Sequence, residues 1–170
     1  MQLLLIRHAD SVRVGSDGVI TDRQRKLSPI GLEKTRHAAL ALNRLGLRVS
    51  AVMTSPYPRA VQTVRILTEH LEFKPEVRRT ELLAPGVDWS KIVKLLHRNI
   101  ELPCIALCGH EPDLSEGATR WVGGSGRPSL LFHTGSVACM RLDLKTDPPE
   151  GTLQWLLDSN QLDMIANHSA

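Results

Sequence analysis

The sequence predicts an α/β fold: a three-layer sandwich with a mostly parallel central sheet, helices on both faces and an antiparallel edge strand. Three observations carry this expectation. Short apolar runs alternate with amphipathic stretches along the chain, as layered α/β domains require. The run Cys104–Cys108 is wholly apolar, lies between Pro103 and Gly109, and is too short for a helix, so it reads as a central strand buried on both faces. Val137–Leu144 and the segment holding Leu153, Trp155 and Leu157 alternate around Asp147-Pro148-Pro149-Glu150-Gly151, the pattern of an antiparallel pair at a sheet edge.

The remaining elements follow in order. Gln2–Ile6 is a continuous apolar run and reads as a buried strand ending in Arg7-His8. A polar, Gly-containing loop runs from about Ser11 to Lys26. Ser28 as N-cap and Pro29 at the first helical position open a helix whose apolar face holds Leu32, Ala39, Leu42 and Leu45, and Gly46 stops it. Val49–Thr54 is a second strand ending at Ser55-Pro56. Ala60, Val64, Leu67 and Leu71 then mark one helical face. Val77–Glu81 is a short extended piece, and Asp88 caps a helix carrying Ile92, Leu95 and Leu96. Pro112 sits in the first turn of a helix running to about Val122, broken by Gly123-Gly124-Ser125-Gly126.

A chain of 170 residues fits one domain, taken as residues 1–160, with 161–170 as a poorly ordered tail. Hydrophobic residues at 42% and charged residues at 23% exclude disordered and low-complexity classes. No apolar run approaches the roughly 18 residues of a membrane helix. The stretch Met1–Ile6 is too short, and lacks a preceding basic region, for a signal peptide. A cytoplasmic protein without membrane contact is therefore expected. Cys104, Cys108 and Cys139 lie in apolar runs, forming neither a disulfide framework nor a zinc spacing, and read as small core residues. A net charge of +3 with only 4% aromatics argues against nucleic acid; the arginines suit a phosphorylated or acidic partner instead.

Open α/β sheets bind ligands at the carboxyl ends of their strands. Those ends here read Arg7-His8, Ser55-Pro56 with Arg59 one helical turn later, and Gly109-His110. If the strands are parallel neighbours, two arginines and two histidines meet in one crevice. Guanidinium and imidazole donors suit a phosphate dianion, and a helix start adds backbone N–H groups. Carboxylates are sparse at these ends, unlike a magnesium-dependent phosphoryl transferase. One histidine, neutral near pH 7, can attack phosphorus and pass the phosphoryl group to water. His37, His70, His97 and His168 lie on helices or the tail and read as surface residues; His133 lies nearer the crevice. Arg13, Arg23 and Lys26 read as solvated loop charges.

These residues resemble a known family. Leu5-Ile6-Arg7-His8-Ala9 resembles the RHG signature of the histidine phosphatase superfamily, with Ala9 in place of Gly. Ser55-Pro56-Tyr57-Pro58-Arg59-Ala60-Val61-Gln62-Thr63 is similar to its SPxxRAxQT segment, and Gly109-His110-Glu111-Pro112 to the GHNP or GHEP of its short, SixA-type phosphohistidine phosphatase branch. Arg25-Lys26-Leu27-Ser28-Pro29-Ile30-Gly31 resembles RPLTxxG, and Phe132-His133-Thr134-Gly135 the late FxTG. The resemblance implies a phosphoglycerate mutase-like fold and no metal or other cofactor. It implies His8 as the phosphorylated nucleophile, with Arg7, Arg59 and His110 completing the phosphate pocket. Arg25 and Thr134 are candidate phosphate- or substrate-binding residues.

The proton donor is left open between two carboxylates. Glu81 matches the donor of relatives acting on sugar or alcohol phosphates. Glu111 occupies the place of the acid in the acid-phosphatase branch, although Pro112 after it favours a helix-start role. Imidazole leaves phosphohistidine far more readily than an alkoxide leaves an ester, so a phosphohistidine phosphatase works with a weak general acid. The first expectation is thus a metal-independent phosphatase acting on phosphohistidine of a signalling protein, such as a histidine phosphotransfer domain. The alternatives are a small-molecule phosphomonoesterase using Glu81 and a non-catalytic phosphate-recognition module.

Overall fold

In the computed structural model, which describes residues 1–123 and 128–168, six segments form strands of one sheet. They are β1 (Gln2–Arg7), β2 (Ala51–Thr54), β3 (Glu76–Arg79), β4 (Cys104–Gly109), β5 (Val137–Asp143) and β6 (Glu150–Leu157). Their order across the sheet is β3-β2-β4-β1-β5-β6. The first four run parallel, β5 runs antiparallel to β1, and β6 pairs antiparallel with β5. The one reversed strand therefore lies one place in from the edge, and the expected antiparallel pair closes that side.

Five helices cover the sheet: α1 (Pro29–Arg44), α2 (Pro58–His70), α3 (Trp89–His97), α4 (Asp113–Trp121) and α5 (Ser159–Asn167). Strand periodicity divides the core into two layers. Leu4, Ile6, Val52, Ala106 and Cys108 point to α1, α2 and α5, where they meet Leu42, Val64, Leu67 and Leu162. Leu3, Leu5, Met53, Ile105 and Leu107 point the other way, onto Ile92, Leu96, Leu114 and Trp121 of α3 and α4. All six β4 residues are buried, as the uninterrupted apolar run predicts. The three cysteines are buried and free, and burial pushes the Cys104 and Cys108 thiols up to about 12.

Local signals placed most helix boundaries. The Ser28 side chain accepts from Gly31 N at 3.1 Å, and that of Asp88 from Ser90 N at 3.0 Å. Gly46 ends α1 with a φ of +69°, a conformation glycine adopts without a Cβ clash. Three expectations change. Leu45 is 41% exposed and lies outside the α1 face. The third extended piece is shorter than Val77–Glu81, because Glu81–Leu83 forms a 3₁₀ turn capped by Thr80. Of the segment after Asn160, expected to be poorly ordered, residues 161–167 belong to α5, and 169–170 lie outside the described residues. Asp158 and Gln161 form its capping box, Leu162 and Ala166 are buried against α1, and Arg44 Nη1 donates to Ile165 O at 2.8 Å. The expected break at Gly123–Gly126 lies outside the described residues except for Gly123, which has a φ of +83°.

One close approach ties the fold to the loop after β1. A Cβ at Gly31 would lie 2.0 Å from the carbonyl oxygen of Asp10. Only a hydrogen at this position lets the first turn of α1 press against the Asp10 peptide, whose carbonyl also accepts from Ser28 N at 2.9 Å. Gly31→Ala is therefore expected to destabilise the protein by about 2 kcal/mol or more through backbone overpacking. Urea denaturation would read this as a lower midpoint at unchanged slope.

Candidate active site

Strand register brings the chemistry together. Arg7 pairs with Gly109, and Thr54 with Cys108. The next residues, His8, His110 and Ser55, consequently leave three adjacent strands at the same end of the sheet. His8 N donates to Gly109 O at 3.2 Å and Ser55 N to Cys108 O at 3.0 Å, extending the ladder one step beyond the strands. Arg59 enters from the first turn of α2 and is only 3% exposed.

Arg59 joins the two imidazoles. Its Nε donates to His8 Nε2 at 3.0 Å, and its Nη2 lies 3.2 Å from His110 Nδ1. The ring centroids of His8 and His110 are 5.0 Å apart. These partners settle both tautomers by elimination. A carbonyl oxygen only accepts, so His8 Nδ1, 2.8 Å from Ala9 O, carries the proton and Nε2 keeps a lone pair. A guanidinium only donates, so His110 Nδ1 accepts and its Nε2 donates to Ser55 Oγ at 2.8 Å.

Burial, reinforced by the charges of Arg59 and Arg7, pushes His8 down to about 4, although its bond to Ala9 O opposes the shift. Burial and the neighbouring His8 and Arg59 push His110 down to about 3. Both rings are neutral near pH 7.

Arg7 stands beside this trio at the end of β1. Its Nη1 donates to Phe132 O at 2.6 Å. Its Nε is buried without a hydrogen-bond partner among the described residues, and its charge acts on His8 and His110 and is felt mutually with that of Arg59. The four expected residues thus converge, three by direct contact and Arg7 through its position and charge. Ala9, where the resembling signature has Gly, is accommodated: its N–H donates to Thr63 Oγ1 at 3.1 Å, and its methyl faces Gly135.

The loop after β1 supplies a wall and a residue that sequence reasoning missed. A 3₁₀ turn over Asp22–Gln24 lays Asp22 against Arg59. Asp22 O accepts from Arg59 Nη1 at 2.7 Å, and Asp22 Oδ2 from Nη2 at 2.9 Å. Arg25 joins through the same carboxylate, Nη1 to Oδ1 at 3.0 Å, while its Nε is anchored on Val12 O at 2.7 Å. Partial burial opposes ionisation of Asp22, but the bonds from Arg25 and Arg59 outweigh it and hold the carboxyl below its usual range. The Asp22…Arg25 spacing was legible; no strand end pointed to it. Tyr57, a variable position of the SPxxRAxQT-like segment, lays its ring edge-on to that of His110 at 5.1 Å, with Arg59 5.0 Å from its centroid.

The other candidates separate clearly. Thr134 Oγ1 donates to Asp10 Oδ1 at 2.7 Å, tying two loops together. Glu81 sits on an exposed turn with a side chain 72% exposed, 3.8 Å from Arg23. Arg23, read as a solvated charge, is exposed but lies 5.3 Å from the Tyr57 ring centroid. Glu111 is inward by comparison. Its Oε2 accepts from Ser115 Oγ at 2.6 Å, and its Oε1 is buried without a partner among the described residues. Burial outweighs the Ser115 bond and the Arg7 charge and holds this carboxyl above its usual range.

Comparison with known proteins agrees with this geometry. The family model of the histidine phosphatase superfamily (branch 1) matches residues 3–84, which carry Arg7, His8 and Arg59. An uncharacterized protein of Picosynechococcus is 34% identical over 123 residues, covering 69% of this chain and 71% of that protein. The chain belongs to the histidine phosphatase superfamily. Mouse mitochondrial serine/threonine-protein phosphatase PGAM5 is 36% identical over 86 residues, covering 49% of this chain and 27% of that protein. The solved structure of the protein histidine phosphatase SixA with tungstate superposes with a TM-score of 0.83 at 23% identity, covering 95% of this chain and 99% of that one. The superfamily member described here therefore has a SixA-like, phosphoglycerate mutase-like fold.

Its buried histidines make stability depend on pH. Between pH 6.5 and about 4 the unfolded chain takes up the proton that folded His8 refuses, so stability falls as pH is lowered through this window. The loss for His8 is roughly 3 kcal/mol across the window. Thermal melts at successive pH values are expected to show a falling Tm below pH 6.5 and a shallower fall in His8→Gln. An identical pH slope in the variant would remove His8 as the cause.

Proposed function

We propose that this chain is a metal-independent phosphatase that works through a phosphorylated His8 and acts on phosphohistidine of a signalling protein. The observation that carries the proposal is the fixed tautomer of His8: Nδ1–H is committed to Ala9 O, and the lone pair on Nε2 accepts from the buried Arg59 Nε, which gives it up as the phosphoryl group enters. The low pKa keeps that lone pair available well below neutral pH.

The reaction has two balanced steps. His8 Nε2 attacks phosphorus as the bond to the leaving nitrogen breaks; the substrate imidazole, already protonated on its other ring nitrogen, leaves neutral with the electron pair of that bond. Water oxygen then bonds to phosphorus, the bond to His8 breaks, and inorganic phosphate leaves with one water proton while the other passes to solvent and His8 is neutral again. Arg7, with its unspent buried Nε, and Arg59 are placed to hold the equatorial oxygens as charge shifts in the transition state. His110 adds a polar ring 5.0 Å from that of His8. The likeness to SixA, described as a protein histidine phosphatase, supports phosphohistidine as the substrate. So does the exposed position of Glu81, since phosphohistidine places a weak demand on a general acid.

A second reading has its own support. The partly buried carboxyl of Glu111, directly after His110, is held above its usual range by burial, the direction a proton donor needs. PGAM5 is described as a serine/threonine-protein phosphatase. Together these favour a phosphate ester on a protein, with Glu111 as donor in place of Glu81.

His8→Ala is expected to abolish hydrolysis of an aryl phosphate and to leave no acid-labile phosphate on the protein after rapid quench. Arg59→Ala is expected to lower kcat/KM by about a hundredfold or more. Glu111→Gln separates the readings. It is expected to leave turnover of a phosphohistidine protein nearly intact, whereas a loss of about tenfold or more on phosphoserine esters would support the second. Full activity of His8→Ala on both would end both readings.

A further inference from the structure

Arg59 is the cation that the proposed reaction needs most, yet in this structure its outer edge is already in use. Asp22 presents two acceptors to it, the backbone oxygen at 2.7 Å from Nη1 and Oδ2 at 2.9 Å from Nη2. The other carboxylate oxygen, Oδ1, lies 3.0 Å from Arg25 Nη1. This is the two-oxygen, two-guanidinium arrangement by which arginines bind a phosphoryl group.

The carboxylate is also held on a defined support. Gln24 Oε1 accepts from Thr21 N and Ile20 N, both at 3.0 Å, closing the short turn from its N-terminal side. Arg25 Nε fixes the far side on Val12 O. The Asp22 side chain is 55% exposed while that of Arg59 is 4% exposed, so Asp22 stands between the buried guanidinium and solvent.

We propose that Asp22 is a specificity-determining residue, an internal anion that competes with the phosphoryl group for Arg59 and Arg25 and disfavours ligands bearing a second negative charge beside the phosphate. The inference rests on the reading of Arg59 as part of the phosphate seat. An entering phosphoryl group takes over the Arg59 donors and turns the Asp22 side chain outward. The turn that carries it stays beside the mouth. A carboxylate there faces whatever is attached to the phosphate, repelling an anionic substituent and attracting a protonated nitrogen. A protonated imidazole leaving group is favoured in that setting, and a carboxylated phosphate ester is rejected.

Two measurements test this. Calorimetric titration with tungstate needs no turnover. Asp22→Asn and Asp22→Ser are both expected to bind tungstate about tenfold more tightly than the parent chain, the size expected of one like-charge contact at a half-exposed site. Equal or weaker binding by both variants overturns the inference, and failure of all three proteins to bind removes the anion seat on which it rests.

The second measurement compares kcat/KM for three aryl phosphates of matched leaving-group pKa, substituted with trimethylammonium, no charge, or carboxylate. The parent chain is expected to prefer them in that order, and Asp22→Asn to narrow the spread by about tenfold, mainly by gaining on the carboxylate. An unchanged spread overturns the inference while leaving the phosphatase reading intact. Absence of turnover by the parent chain with all three substrates sinks the phosphatase reading instead, and the tungstate titration still decides the role of Asp22.

Discussion

A buried guanidinium must be surrounded by acceptors, and most of the candidate site follows from how Arg59 meets that demand. Leaving such a charge unpaired away from water costs several kcal/mol. At the start of α2 the available acceptors are the imidazole nitrogens of His8 and His110 and the oxygens of Asp22. Because guanidinium has no lone pair to offer, each imidazole is obliged to present one. That obligation chooses their tautomers and turns the His8 Nε2 lone pair toward Arg59, in a site whose charge is raised further by Arg7 and Arg25. Structural support and the proposed reactivity therefore share an origin: burial keeps His8 neutral, and its acceptor role toward Arg59 fixes which ring nitrogen holds the lone pair.

The sheet makes that arrangement reproducible. Parallel pairing of β1 with β4 and of β4 with β2, in the register Arg7–Gly109 and Cys108–Thr54, brings three strand ends level. A one-residue slip of β1 would turn Leu3 and Leu5 toward α1 and α2, and Leu4 and Ile6 toward α3 and α4, exchanging the two core layers. The two apolar layers thus guard the register, and the register sets the distance between His8 and His110. Gly31 adds a second constraint from the side, holding the first turn of α1 against the peptide that follows Ala9.

Much of this was legible in the amino-acid sequence, for reasons tied to particular residues. The buried strand β4 announced itself because no polar residue interrupts Cys104–Cys108. The boundaries of α1 and α3 were marked by Ser28-Pro29, Gly46 and Asp88, whose backbone preferences are local. His8, Arg59 and His110 stood out because each follows a strand end by no more than a few residues. What escaped notice depends on tertiary contact. The helix α5 has an ordinary capping box, but it is short and polar, and its stability comes from packing Leu162 and Ala166 on α1. Asp22 looked like one charge among several in a polar loop. Its significance comes from a fold of that loop back onto α2, a contact across 37 residues that neither spacing nor periodicity encodes.

The two carboxylates considered as proton donors show how burial decides between residues that motif position leaves equal. Glu81 sits on a solvent-facing turn beside Arg23, with its side chain largely in water. Glu111 has one oxygen buried without a partner among the described residues and the other bound to a single hydroxyl, so ionisation leaves a desolvated charge. Burial thus holds the Glu111 carboxyl above its usual range. Under the ester reading proposed above, the acid would therefore be the residue beside His110, on the side that burial favours. Under the phosphohistidine reading the leaving imidazole carries a proton on its other ring nitrogen, and the demand for an acid from the protein falls away.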